Sequence, residues 1–294
     1  MPFWHIGIDV GGTWTRLLAG RADGRRVEVT AVPTPTSYAD LVATIVAMVP
    51  GEATGRIAAV GCGIPGSTDG ERPLFVPALP WLEGELLRSH LSSVLQATVR
   101  LGTDGHLTLL AEAREGSAAG AASAVLVAVG TGIGGAVMVG GRIWRGYHAS
   151  AGSWGWLPAT GAGVVPGHGP FEQMASGTAL SELANSLVPG WSGPDLVHAA
   201  RQGGPTAISA LTDYAARLAA GIAGIASVID PEVVLVGGGL SAAMDVLGPL
   251  LDEQIRALAS PDGGKVAVRA AALGPQAGVV GALLAAQCGE EVWY

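Results

Sequence analysis

The chain has 294 residues, 49% of them hydrophobic, and a mean hydropathy of +0.43, so it can bury a sizeable core. Its length suits two lobes of roughly 100 to 170 residues each. A formal net charge of -8, a pI near 5.2 and a single lysine, Lys265, argue against a surface for the nucleic-acid backbone.

The apolar runs are short and broken by glycine, and none approaches the roughly 20 residues of a membrane span, so they read as buried strands and helices. The start, MPFWHIGIDVGGT, lacks a basic region followed by an apolar stretch and a cleavage site, so a cytoplasmic protein free of membranes is expected. Cys62 and Cys288 lie far apart in apolar contexts, which suits reduced core thiols better than a disulfide or a metal site.

In chain order, runs at 3–10, 15–20 and 27–32, joined by glycine turns, predict an antiparallel meander of three strands. A helix is expected at 38–49, a buried strand at 57–64, a helix at 82–95 and a strand at 98–102. The segment AVLVAVGTGIGGAVMVGGRIWRG, from Ala124, repeats the strand–turn–strand–turn–strand pattern about 120 residues after the first. Such a duplication suggests two lobes of related topology facing each other across a cleft. A Gly/Pro-rich loop at 158–170 precedes helices at 171–187 and 207–229. A strand at 233–236, a helix after Ser241, a strand at 265–270 and a helix at 276–287 complete an α/β alternation.

Three glycine clusters could carry chemistry. Asp9-Val10-Gly11-Gly12-Thr13 ends a buried strand; its glycines let backbone N–H groups approach an anion, and Thr13 adds a hydroxyl. Asp9 could hold a magnesium ion through water, since this hard cation takes a carboxylate or two beside phosphate oxygens. Gly130-Thr131-Gly132-Ile133-Gly134-Gly135 offers similar equipment, and the pair suggests one polyphosphate gripped by two hairpins. Gly237-Gly238-Gly239, between a strand and a helix, suits close approach to adenine and ribose, although a plain strand-to-helix turn would read the same way.

The ordered set DVGGT, GIPG, TD, GTGIGG, an AGxxGx segment, FExxASGTAL and LVGGGLS resembles the ROK family of sugar kinases over nearly the whole chain. The resemblance implies a two-lobed actin/hexokinase-like (ribonuclease H-like) α/β fold with a cleft between the lobes. It implies a smaller lobe at 1–104, joined by the C-terminal helix 276–290, and a larger one at 105–275. It also implies ATP and Mg2+ as cofactors and a homodimer. The nucleotide would be held by Asp9, Gly11, Gly12, Thr13, Gly130, Thr131, Gly132, Gly237, Gly238 and Gly239. The position of the family's catalytic base is taken by Asp104, and a carboxylate there would accept the proton of the attacking alcohol. Substrate contacts fall at Gly66, Ser67, Thr103, Asp104, Ser153, Trp156 and Glu172.

Several of these positions depart from glucose-type members. Where the family has an Asn, an Asn, a Glu and a His as sugar ligands, this chain has Ala78, Thr103, Ser153 and Trp156; Glu172 and Asp104 are kept. Each glucose hydroxyl left unpaired in a buried site would cost roughly 1 to 3 kcal/mol. The expected acceptor is therefore a modified hexose such as the aminoglucose kanosamine, with a C7-cyclitol, plain glucose, or binding without catalysis as alternatives. A sugar-responsive DNA-binding repressor is disfavoured by the acidic charge and by the early position of DVGGT. The family's zinc motif CxCGxxGC is absent, so no structural zinc is expected, and His168 reads as a loop residue rather than a ligand.

Overall fold

The computed structural model describes residues 3–163 and 165–294. Met1, Pro2 and Val164, which the readings of the amino terminus and of the 158–170 loop include, lie outside the described residues. The chain divides into two compact units: 1–115 with 141–151 and 275–294, and 116–140 with 152–274.

The first unit opens with β1 (Trp4–Val10), β2 (Trp14–Gly20) and β3 (Arg26–Pro33), the expected antiparallel meander. α1 (Tyr38–Met48) starts where the Ser37 side chain accepts the Asp40 N–H, and it buries Leu41, Val42, Ile45 and Met48 on one face. β4 (Ile57–Ile64) pairs parallel to β1. A small hairpin, β5 (Ser67–Thr68) with β6 (Pro73–Phe75), then intervenes, and the sequence reading had not resolved it. The helix expected at 82–95 is shorter: a 3₁₀ turn at Pro80–Leu82 is separated from α2 (Leu87–Leu95) by Gly84, whose φ of 80° breaks the helical path. β7 (Thr98–Thr103) pairs parallel to β4, giving the sheet order β3-β2-β1-β4-β7, and α3 (Asp104–Glu115) follows directly.

The second unit is built on β8 (Ala124–Val129) and β9 (Ile133–Val139), an antiparallel pair. β10 (Arg142–Trp144) falls in the first unit. The helix expected at 171–187 is two, α4 (Pro170–Ala175) and α5 (Gly177–Leu187), because Ser176 is extended and its hydroxyl caps the second by accepting the Ala179 N–H. α6 (Gly193–Arg201) was not anticipated; Ser192 and Asp195 form a capping box at its start. α7 (Pro205–Ile229) leads to β11 (Val233–Gly237), parallel to β8, then α8 (Met244–Leu258) and β12 (Ala267–Ala270). The strand expected at 265–270 begins later because Gly263–Lys265 forms a 3₁₀ turn. α9 (Ala277–Cys288) returns to the first unit.

Each unit has its own core. The strands β8 and β11 are continuous apolar runs, AVLVAV and VVLVG, as expected for parallel strands covered on both faces. They pack with Leu211, Tyr214, Leu218 and Ile222 of α7. In the first unit Ile6, Ile8, Val60, Cys62 and Leu101 pack against Leu41 and Ile45 of α1. Cys62 is fully buried, and burial, aided by the charge of Asp9, pushes its thiol up to about 12; Cys288 is half-buried, and both are free.

Candidate active site

In the first unit the predicted residues gather at the carboxyl ends of parallel strands, the edge at which open α/β sheets place ligands. Asp9 pairs with Gly63 across β1 and β4, and Gly63 pairs with Gly102 across β4 and β7, one residue before Thr103. Asp9 and Asp104 therefore belong to the same sheet edge. Asp9 is 8% exposed, and burial together with the negative charge of Asp104 raises its carboxyl to about 6. Arg16, 3.7 Å away, acts in the opposite direction. At the start of α9, Gly278 packs so closely on Asp9 that an added Cβ would stand 2.8 to 2.9 Å from its carboxylate. One hard carboxylate in a poorly solvated place, with a second acidic charge nearby, is a donor set that fits magnesium held through water. Among the described residues no group of three metal-binding side chains occurs.

Asp104 is the first residue of α3. The Thr103 hydroxyl accepts the His106 N–H at 3.2 Å and so caps the helix, while the Gly105 N–H donates to Asp104 Oδ1 at 2.7 Å. The residue is exposed, yet dense surrounding protein pushes its carboxyl above the ordinary value. The turn of Gly11, Gly12 and Thr13 is closed by the Gly11 N–H to the Trp14 carbonyl, 3.0 Å, and braced by Thr34 Oγ1 donating to the Gly11 carbonyl, 2.7 Å. Thr13 is exposed, and Gly12 lies against Ala78, an added Cβ falling 3.2 Å from the alanine methyl. Gly66, at φ 114°, and Ser67 follow β4; a side chain at Gly66 would strike the Phe75 carbonyl.

In the second unit β8 and β11 end side by side, Gly237 pairing with Ala128, which brings two glycine clusters together. A pocket of about 330 Å³ opens there, lined by Gly130, Thr131, Gly177, Gly239, Val197 and Arg201 among others. Gly237 and Gly238 are not among its lining residues; Gly238, at φ 69°, backs onto the Val129 carbonyl. The sequence reading placed a helix directly after Ser241, whereas a 3₁₀ segment at Gly238–Ala243 precedes α8.

The FExxASGTAL motif, read in the sequence only as a family match, has a physical role here: it holds the 130–133 hairpin. Glu172 Oε2 accepts the Ile133 N–H at 2.9 Å, and it lies where a Cβ on Gly132 would be. The Gly177 N–H donates to the Gly130 carbonyl, 2.8 Å, and Thr178 Oγ1 to the Thr131 carbonyl, 2.8 Å. The other Glu172 oxygen is 3.2 Å from His168 Nδ1, so the exposed His168 is tied to a candidate site residue four positions along the chain. Trp154 and Trp156 separate in kind. Trp154 donates its indole N–H to the Leu126 carbonyl at 2.8 Å and packs on the core, whereas Trp156 is 56% exposed, next to exposed Ser153.

The chain has the actin/hexokinase-like α/β fold and is a sugar kinase by its relatives. The ROK family model matches residues 5–288, and the chain belongs to that family. A glucokinase from Streptomyces coelicolor is 33% identical, covering 94% of this chain and 95% of its own. Kanosamine kinase from Amycolatopsis mediterranei is 30% identical, covering 95% of each. The ROK family glucokinase from Streptomyces griseus, solved in complex with glucose and AMPPNP, is 30% identical, with a TM-score of 0.80 over 97% of this chain and 100% of that one.

Proposed function

We propose that the protein transfers the γ-phosphoryl group of ATP to the primary, 6-position hydroxyl of a modified hexose, an aminoglucose such as kanosamine being the leading candidate. The observation that carries the phosphoryl-transfer reading is the pocket that unites the second and third glycine clusters beside the hairpin held by Glu172. Kinship with kinases of glucose and of kanosamine supports a hexose acceptor.

In this reading the acceptor oxygen bonds to the γ-phosphorus, its proton passes to the Asp104 carboxylate, and the bond to the β–γ bridging oxygen breaks to release ADP. An upward-shifted carboxyl suits that role, because a stronger base takes the proton more readily. Asp9 would hold magnesium through water, and the ion would offset negative charge on the phosphates. Backbone N–H groups of the 130–132 hairpin would bind phosphate, and positioning and electrostatics would carry the larger share of the rate. Trp156, exposed where glucose-type members have a polar ligand, would present a flat apolar face to the acceptor ring. The same reading has the enzyme working as a cytoplasmic homodimer in specialised metabolism, dependent on magnesium and not on zinc.

Plain glucose is the second reading, favoured by the Streptomyces coelicolor relative. A mass-spectrometric screen of phosphorylated products with glucose, mannose, N-acetylhexosamines, kanosamine and cyclitols separates the two. The best acceptor by kcat/KM is expected to be an amino sugar; a clear preference for glucose would remove the first reading. Asp104→Asn is expected to lower kcat by roughly 10² to 10⁴ while nucleotide affinity persists. Unchanged turnover would take the base role away from Asp104.

A further inference from the structure

The pocket in the second unit has one charged lining residue, Arg201. It closes α6, whose Gly193, Pro194 and Val197 also line the pocket, so one face of the helix forms a wall. The guanidinium is held on two sides. Its Nε and Nη2 donate to the two oxygens of Asp245, both at 2.7 Å, and Nη2 also donates to the Ala242 carbonyl at 2.6 Å. Ala242 belongs to the opposite wall, the 3₁₀ segment that also carries Gly239. Nη1 has no hydrogen bond among the described residues.

This arrangement contributes little to stability, because both partners are well exposed, 38% and 56% for the side chains, and such pairs are worth at most about 1 kcal/mol. What a bidentate carboxylate does supply is orientation: it fixes the plane of a group whose flat faces stack on aromatic rings. The remaining walls are glycine and aliphatic carbon, which pack against a ring without competing for its polar edge.

We propose that Arg201, held flat by Asp245, is the specificity-determining residue for the donor's base: its guanidinium face stacks on a purine. The inference rests on the nucleotide reading of this pocket. It makes purine triphosphates better donors than pyrimidine triphosphates, since the larger ring covers more of the guanidinium.

The test compares the wild type with Arg201→Ala, Arg201→Lys and Asp245→Asn, using KM for ATP and CTP, KM for the acceptor, and the affinity for inorganic tripolyphosphate, which has no base. Arg201→Ala is expected to raise KM for ATP about three- to thirty-fold and to narrow the ATP-over-CTP preference. kcat, acceptor KM and tripolyphosphate affinity should stay within about twofold. Arg201→Lys, which keeps the charge and loses the plane, should behave like Arg201→Ala, and Asp245→Asn should fall between. An unchanged KM for ATP in the folded variants would overturn the proposal, as would a parallel loss of tripolyphosphate affinity, which marks a merely structural role. Should the wild type bind tripolyphosphate and show no saturable binding of any nucleoside triphosphate, the nucleotide reading itself falls, and this inference with it.

Discussion

Asp9 and His106 are buried in the same unit, and their ionisation pulls stability in opposite directions over the same pH range. The Asp9 carboxyl is raised from 3.8 to about 6, chiefly by burial and then by Asp104. Between those values the folded state holds the proton that the unfolded state has lost, so stability falls as pH rises. His106 is lowered from 6.5 to about 4 by burial, against the pull of its contact with the Ala151 carbonyl at 3.0 Å, Arg145 adding to the lowering. There the unfolded state binds the extra proton, so stability rises with pH and is lost as pH falls toward 4. At 1.36 kcal/mol per unit each effect is bounded by about 3 kcal/mol, and the two largely cancel. Urea denaturation across pH 4 to 6.5 should therefore give Asp9→Asn a steeper rise with pH than the wild type, and His106→Gln a fall. Parallel profiles for all three would refute the opposition. Of these two residues only Asp9 was legible in the sequence, because DVGGT marks a strand end, whereas nothing in the spacing of His106 tells a buried histidine from an exposed one.

At the scale of elements, legibility followed whether a feature depends on its own segment. The first meander, the β8–β9 hairpin and the long α7 carry their pattern locally, in glycine turns and in apolar residues repeated at helical spacing. The break at Ser176 was missed because apolar periodicity runs through it on both sides, and only the serine hydroxyl and the extended backbone separate α4 from α5. That break matters to the site: it aims the first turn of α5 at the 130–131 hairpin, through the Gly177 and Thr178 bonds. α6 was missed for a similar reason, its capping box and single apolar face lying in a stretch that reads as a loop of Gly, Ser and Pro. Ser176 is buried and caps α5, so Ser176→Ala is expected to cost about 0.5 to 2 kcal/mol in urea denaturation. KM for the phosphoryl donor should rise with it, since the hairpin loses the support of α5. A stability loss with donor KM unchanged would separate the cap from the hairpin.

On the scale of the whole molecule, the first unit is assembled from three stretches of chain, and its last piece, α9, arrives only at the end. The sequence of α9 is apolar on every side, AGVVGALLAAQC, which signals a helix buried all round but does not say against what. Glycines on both partners supply the answer. A Cβ on Gly7 or Gly61 would run into the α9 backbone at Leu283 or Ala282, and one on Gly281 would fall on the Leu107 carbonyl of α3. The helix thus lies directly on β1 and β4, with α3 beside it, and its first turn reaches Asp9. Val279, Val280, Leu283 and Val292 are buried there, and at about 1.5 to 3 kcal/mol each they contribute about 6 to 12 kcal/mol, as much as the whole stability of an ordinary domain. Removing residues 275–294 should therefore unfold the first unit, seen as loss of amide-exchange protection in β1, β4 and α3, while 124–139 and 205–258 keep theirs. Persistent protection of β1 in the truncated chain would mean that the last segment is an accessory to that core.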